Sequence, residues 1–161
     1  MSELRVGLGF DGHAFADGVP LVLGGVEIES PRGLAGHSDG DVIAHALVDA
    51  VLGAAGLGDI GSLFPSGDPE WEGASSLELL RRAAADVRAA GWEVVNADCV
   101  LVGEEPRIAP VRGRMRERLA EALGVEPGRV NVRATTTDKL GFTGRGEGLT
   151  AQAAALVRQS G

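Results

Sequence analysis

The segment Asp11-Gly12-His13 and the run Gly36-His37-Ser38-Asp39-Gly40-Asp41-Val42-Ile43-Ala44-His45 hold all three histidines of this 161-residue chain. Each histidine lies within two residues of an aspartate or on the helical face of one. Asp11, His13 and His45 offer one carboxylate oxygen and two imidazole nitrogens, the ligand set of a tetrahedral zinc site that leaves one position open. An open position belongs to a Lewis acid rather than to a structural staple. Asp41, His45 and Asp49 are spaced i, i+4, i+8 and stack on one helical face. Either aspartate could therefore hold the second ring nitrogen of a ligating histidine.

The elements that must position these groups follow from the flanking sequence. Arg5 to Phe10 reads as a strand that delivers Asp11-Gly12-His13 to its end, where residues two apart point the same way. The positions after Asp41, as far as Leu57, are Val, Ile, Leu, Ala and Gly apart from His45 and Asp49, so the helix there is buried nearly all round except for a polar stripe. Such a stripe needs partners, and a metal ion suits carboxylate and imidazole together. Ser38 or Asp39 is placed to cap this helix, and a helix N-terminus that takes a cap also takes an anion.

Elsewhere the chain alternates clear elements with polar loops. Leu21 to Ile28 reads as a hairpin turning at Gly24-Gly25. Ser62 to Pro69 is a Gly, Pro, Ser and Asp loop, a candidate lid or binding loop. Ser75-Ser76-Leu77-Glu78 has the form of a capping box for a helix over Leu77 to Ala90, ended by Gly91. Trp92 to Val102 is strand-like, and Pro106 is the expected first-turn residue of a third helix ending before Gly124. Arg107 would then sit at a helix N-terminus, where a cation hints at an anionic partner, although an exposed arginine is the simpler reading. Val130 to Ala134 is a further strand leading into the glycine- and threonine-rich segment 135–148, rich in donors for phosphate oxygens. Leu149 to Val157 is apolar on both faces, which suggests a sheet with helices on one side and another subunit on the other.

The bulk numbers narrow the function classes. Apolar residues make up 44% and charged residues 24% of the chain, a globular balance with no membrane-length apolar run. A formal net charge of -8 works against nucleic acid or anionic membrane as partners. Cys99 is the single cysteine, and Met1 to Arg5 lacks the basic start of a secretory signal, so a reducing, bacterial cytoplasmic setting is expected; a plastid stroma would look the same. The residues alone therefore point to metal-dependent chemistry on a small phosphorylated molecule.

Four motifs extend this reading. GLGFDGHAF (7–15), GHSDGDVIAH (36–45), GDIGSLFP (58–65) and ATTTDKLGFTGRGEG (134–148) resemble, in order and spacing, those of the 2-C-methyl-D-erythritol 2,4-cyclodiphosphate synthase family, over Arg5 to about Val157. The resemblance implies one α+β domain over 1–161, with a mixed β-sheet, helices packed on one face and the other face toward the centre of a homotrimer. It implies a phosphorus–oxygen lyase that cyclises 4-diphosphocytidyl-2-C-methyl-D-erythritol 2-phosphate and releases CMP in the non-mevalonate isoprenoid pathway.

The same resemblance assigns roles by position. Asp11, His13 and His45 would hold zinc, and Asp138, where familiar members carry Glu, would serve magnesium or manganese bridging the diphosphate. His37 and Thr136 match groups that steady the transition state. Gly12, Ser38, Asp59, Ile60 and Gly61, with the loop Phe64, Pro65, Ser66, Gly67 and Asp68, match substrate contacts alongside Asp11, His13 and His37. Gly103, Glu104, Glu105, Pro106, Arg107, Ile108 and Ala109, together with Ala134, Thr135, Thr136 and Thr137, match the cytidine and phosphate pocket. Glu104 and Glu105 are more acidic than expected there, and Arg107 replaces a familiar Lys. Phe142 and Arg145 match further contacts, and Arg145 could instead face a three-fold axis that can hold an isoprenoid diphosphate. No nucleic-acid or membrane partner is implied.

Overall fold

A computed structural model describes residues Met1 to Gly161. Its centre is a five-stranded mixed sheet in the order β4-β1-β7-β5-β6, with β1 over Leu4–Asp17, β4 over Arg32–Leu34, β5 over Trp92–Val102, β6 over Val130–Thr135 and β7 over Gly148–Gln159. All neighbours are antiparallel except β5 and β6, whose parallel pairing requires a crossover. Helix α4 (Arg112–Leu123) supplies it. A separate hairpin, β2 (Leu21–Leu23) and β3 (Val26–Ile28), turns at Gly24 and Gly25, both at positive φ, as expected for a tight two-residue turn.

Helices α1 (Val42–Ala55), α3 (Ser76–Ala89) and α4 cover one face of the sheet, with the core between. The other face of β1 is bare: Leu8 is 77% and Phe10 59% exposed, and Leu4 and Val6 are exposed beside them. The expected division into a helix-covered face and an open face is thus observed. Strand β1 is the hinge of the arrangement, because Gly7 and Gly9 let α1 lie directly on it. A Cβ on Gly7 would overlap the Ala50 carbonyl, and one on Gly9 the Ala46 carbonyl. Alternation then turns Asp11 and His13 toward the helix.

Several boundaries differ from the sequence reading. Strand β1 continues through Asp11 and His13 to Asp17, paired to β7 as far as Ala14, so these residues lie inside a strand and not at its end. The cap of α1 is Asp41, which accepts from Ala44 N at 3.0 Å, and neither Ser38 nor Asp39. Asp41 is chosen because its carboxylate also takes the Gly24 and Gly25 amides at 2.9 and 2.7 Å, docking the hairpin on the helix start. Residues 106–111 are not helical; α4 starts at Arg112. Pro110 would have fallen inside a helix begun at Pro106, where it lacks an N–H and collides with the preceding turn. Arg107 is accordingly an exposed loop residue. At the start of α3 the Ser75 side chain makes no capping bond and Glu78 pairs with Arg81 instead.

Candidate functional site

Two elements meet at the site: β1 supplies Asp11 and His13, and α1 supplies His45 one turn from its start. His13 Nε2 lies 2.9 Å and His45 Nδ1 3.0 Å from Asp11 Oδ2, and the two nitrogens are 3.4 Å apart. Ligands of a tetrahedral divalent ion bound at about 2.0–2.1 Å lie roughly 3.3–3.4 Å from one another. The nitrogen pair matches that edge and the carboxylate falls a few tenths of an ångström short, so a small rotation of Asp11 fits all three atoms to a metal ion.

The local electrostatics favour an ionised Asp11. Burial opposes its charge, yet the two imidazoles beside it, His13 and His45, outweigh that and hold the carboxyl at about 2. The same contact raises His13. Neither Asp41 nor Asp49 orients a ligating histidine, contrary to the sequence reading. Burial pushes Asp41 up to about 6 against three backbone donors, all spent on the hairpin and its own helix. Asp49, raised by partial burial, accepts from Ile60 N at 2.7 Å and so anchors the next loop. The second nitrogen of His45 goes elsewhere: Nε2 lies 2.7 Å from Ser76 Oγ and 3.0 Å from Ser38 Oγ. Asp39 accepts the Ser76 N–H at 3.0 Å and the Ser76 hydroxyl.

A cavity of about 430 Å³ opens from these three side chains, Asp11, His13 and His45. His37, Ser38, Ile60, Gly61 and the whole loop 64–68, each a candidate site residue from the sequence, line it. Asp59 stands just outside as the cap of the one-turn helix α2 (Ile60–Leu63), accepting from Ser62 N. Trp71, Glu72 and Leu79 also line the cavity and were not anticipated. Trp71 packs edge-on against Phe64, with ring centroids 4.7 Å apart, closing the loop on itself, and the Gly73 N–H donates to the His37 carbonyl and so ties its far end to the site. A tryptophan just beyond a Gly/Pro loop, in a chain with only two, was the available signal.

Residues 4–158 match the YgbB family. The chain belongs to the YgbB family. A 2-C-methyl-D-erythritol 2,4-cyclodiphosphate synthase of Rubrobacter xylanophilus is 59% identical, over 99% of this chain and 98% of that protein. A bifunctional enzyme IspD/IspF of an Anaeromyxobacter species is 60% identical over 97% of this chain, which spans 40% of that longer protein. A solved 2C-methyl-D-erythritol-2,4-cyclodiphosphate synthase in a CDP-bound form has a TM-score of 0.87 and 38% identity, over 95% of this chain and 99% of that one.

In this YgbB-family chain Gly12 lies on β1 between Asp11 and His13 without lining the cavity, and the other remaining predicted residues lie away from it. Gly12, Thr150, Val102 and Thr135 are successive cross-strand partners in one row of the sheet, which separates Thr135 from Gly12 by three strand spacings, about 14 Å. The Gly103 N–H donates to the Thr135 carbonyl and the Lys139 N–H to Glu104 Oε1 at 2.7 Å, joining segment 103–109 to segment 134–139. Glu104, unexplained from sequence, thus braces a stretch in which Asp138 and Lys139 both adopt positive φ. Thr136 Oγ1 donates to Asp138 Oδ1 at 3.3 Å, and both residues are exposed. Glu104, Glu105 and Arg145 face a smaller cavity of about 200 Å³ with Arg32 and Phe15, while Phe142 is exposed on helix α5 (Gly141–Gly144).

Proposed function

We propose that this protein cyclises 4-diphosphocytidyl-2-C-methyl-D-erythritol 2-phosphate to 2-C-methyl-D-erythritol 2,4-cyclodiphosphate with release of CMP. The observation that carries the reading is the convergence of Asp11 Oδ2, His13 Nε2 and His45 Nδ1 on the wall of a substrate-sized cavity in a YgbB-family chain. A 2-phosphate oxygen attacks the β-phosphorus, a new P–O–P linkage forms, and the bond from the β-phosphorus to the oxygen bridging it to the α-phosphate breaks, CMP leaving with the electron pair. The nucleophile is already an anion near neutrality, since its second pKa is about 6, so no protein base is required. The task left to the chain is to bring two phosphates together and hold them in line.

Zinc at Asp11, His13 and His45 would neutralise charge at the attacked phosphate, and magnesium or manganese near Asp138 would do so across the diphosphate. His37 and Thr136 donate hydrogen bonds to the phosphoryl oxygens as charge shifts toward CMP. Ile60, Gly61 and the 64–68 loop, backed by Trp71, enclose the erythritol part and exclude water. Segments 103–109 and 134–137 hold the cytidine and its phosphates by backbone groups and threonine hydroxyls. These segments lie away from their own chain's cavity, so the site is completed by the same segments of a second copy. The bare apolar strip of Leu4, Val6, Leu8 and Phe10 supports a homotrimer closed on that sheet face, with Arg145 available to an isoprenoid diphosphate on its axis. No helix is long and apolar enough to cross a membrane. With bacterial relatives, that supports work in the cytoplasm.

Phosphorus NMR and CMP assay of the diphosphocytidyl substrate, with and without chelator, test the reading. Cyclic diphosphate and CMP in equal amounts, lost on chelation, are expected. A hydrolysed monophosphate product would overturn it.

A further inference from the structure

Ser76 is fully buried, and its hydroxyl bonds to no backbone group of its own helix. The oxygen lies between two side chains from elsewhere in the chain: the Asp39 carboxylate, which it contacts directly, and His45 Nε2 at 2.7 Å. Counting protons settles the direction of both bonds. An ionised carboxylate only accepts, so the single hydroxyl proton of Ser76 goes to Asp39. Ser76 Oγ is then left with lone pairs toward His45, and Nε2 must carry the imidazole proton. A neutral imidazole has one N–H, so Nδ1 presents a lone pair to Asp11 Oδ2 and His13 Nε2. A lone pair 3.0 Å from a carboxylate oxygen is repelled unless a cation lies between them.

We propose that Asp39 and Ser76 form a carboxylate–hydroxyl relay that fixes His45 with its proton on Nε2 and so points Nδ1 at a divalent cation. Ser76 is a positioning residue, acting through His45, and the proposal rests on the metal reading of Asp11, His13 and His45. Ser38 Oγ, 3.0 Å from the same nitrogen and 3.4 Å from Ser76 Oγ, is the reserve acceptor. The relay also ties two helices together, since Asp39 takes the Ser76 N–H at the first residue of α3 and the Asp41 N–H at the start of α1. A role confined to capping α3 predicts no effect of losing the hydroxyl, because the N–H to Asp39 survives in Ser76→Ala.

The test is zinc transfer from the full-length, zinc-loaded chain to a chromophoric chelator, with circular dichroism to confirm folding. Ser76→Ala and Asp39→Asn should each weaken zinc binding about 10-fold, and Ser38→Ala/Ser76→Ala should approach about 100-fold, the range for loss of a histidine's outer partner. The cobalt-substituted Ser76→Ala protein should show shifted visible bands. Unchanged zinc affinity in folded Ser76→Ala and in the double variant would overturn the relay while leaving the metal site standing. Failure of the parent to bind one zinc per chain would overturn both. Should the variants not fold, long-range proton–nitrogen NMR of the zinc-loaded parent decides, with Nε2 of His45 protonated as the expected result and Nδ1 protonated, or Nε2 metal-bound, as the refuting one.

Discussion

Gly9→Ala probes the contact that brings α1 to β1. The added methyl would run into the Ala46 carbonyl, backbone against backbone, so no side-chain rotation relieves it. Helix and strand must part by about 1.5 Å, more than a packed core tolerates, which places the cost at the upper end of the overpacking range, about 3 kcal/mol. For a chain of this size that lowers Tm by roughly 6–12 °C. His45 precedes Ala46, so the same displacement carries Nδ1 away from Asp11 and His13, and metal sites tolerate only about 0.2 Å. Gly53→Ala is the matched control: it lies on the same helix, and its Cβ would meet only the Leu8 carbonyl at 3.9 Å. Removing backbone freedom there should raise stability by about 0.5–1 kcal/mol and leave the metal in place. Calorimetry and zinc stoichiometry on both variants are the assay. A Gly9→Ala protein with the parent's Tm and a full complement of zinc would refute the close-approach argument.

Asp41→Ala removes a carboxylate that satisfies three backbone N–H groups, and with about 1–3 kcal/mol for each buried donor left unmet the loss should reach about 4 kcal/mol, read by urea denaturation. Asp138→Ala should lower turnover and the response to magnesium while retaining zinc; metal analysis showing zinc lost would contradict two separate ion positions. Cys99 is buried, and burial pushes its thiol from 9.0 up to about 12. Alkylation at pH 8 should therefore track unfolding. Because the folded value is the higher one, the thiol's contribution to stability is complete below pH 9 and falls as pH rises toward 12, measurable by chemical denaturation across that range.

The clearest elements in the sequence were those whose pattern is local. Strand β5 has the bounds expected from its strand-like run, and the hairpin turns where paired glycines allow it. Asp11, His13 and His45 were recognisable as a group because imidazole and carboxylate have few uses in so histidine-poor a chain. What escaped depended on distant partners. Ser38, Asp39 and Asp41 are all competent caps for α1, and the choice rests with hairpin amides 16 and 17 residues away. Ser76 reads as a helix-start serine until folding brings it to a histidine 31 residues distant. Pro106 alone suggests a helix start, but Pro110 four residues on forbids a helix begun there.

The candidate ligands of the site are split between a strand and a helix, and His13 and His45 are 32 residues apart. An ion held by both is a cross-link across that stretch of chain, which contains the hairpin, β4 and His37. In the chain-entropy account, closing a loop of this length removes about 3–4 kcal/mol of freedom from the unfolded ensemble. Asp11 and His13, two residues apart, would contribute almost nothing in this way. Stripping the ion would thus loosen the topology of the first third of the molecule as well as silence its chemistry, and chelation should expose the hairpin to amide hydrogen exchange before it exposes β5 or β7.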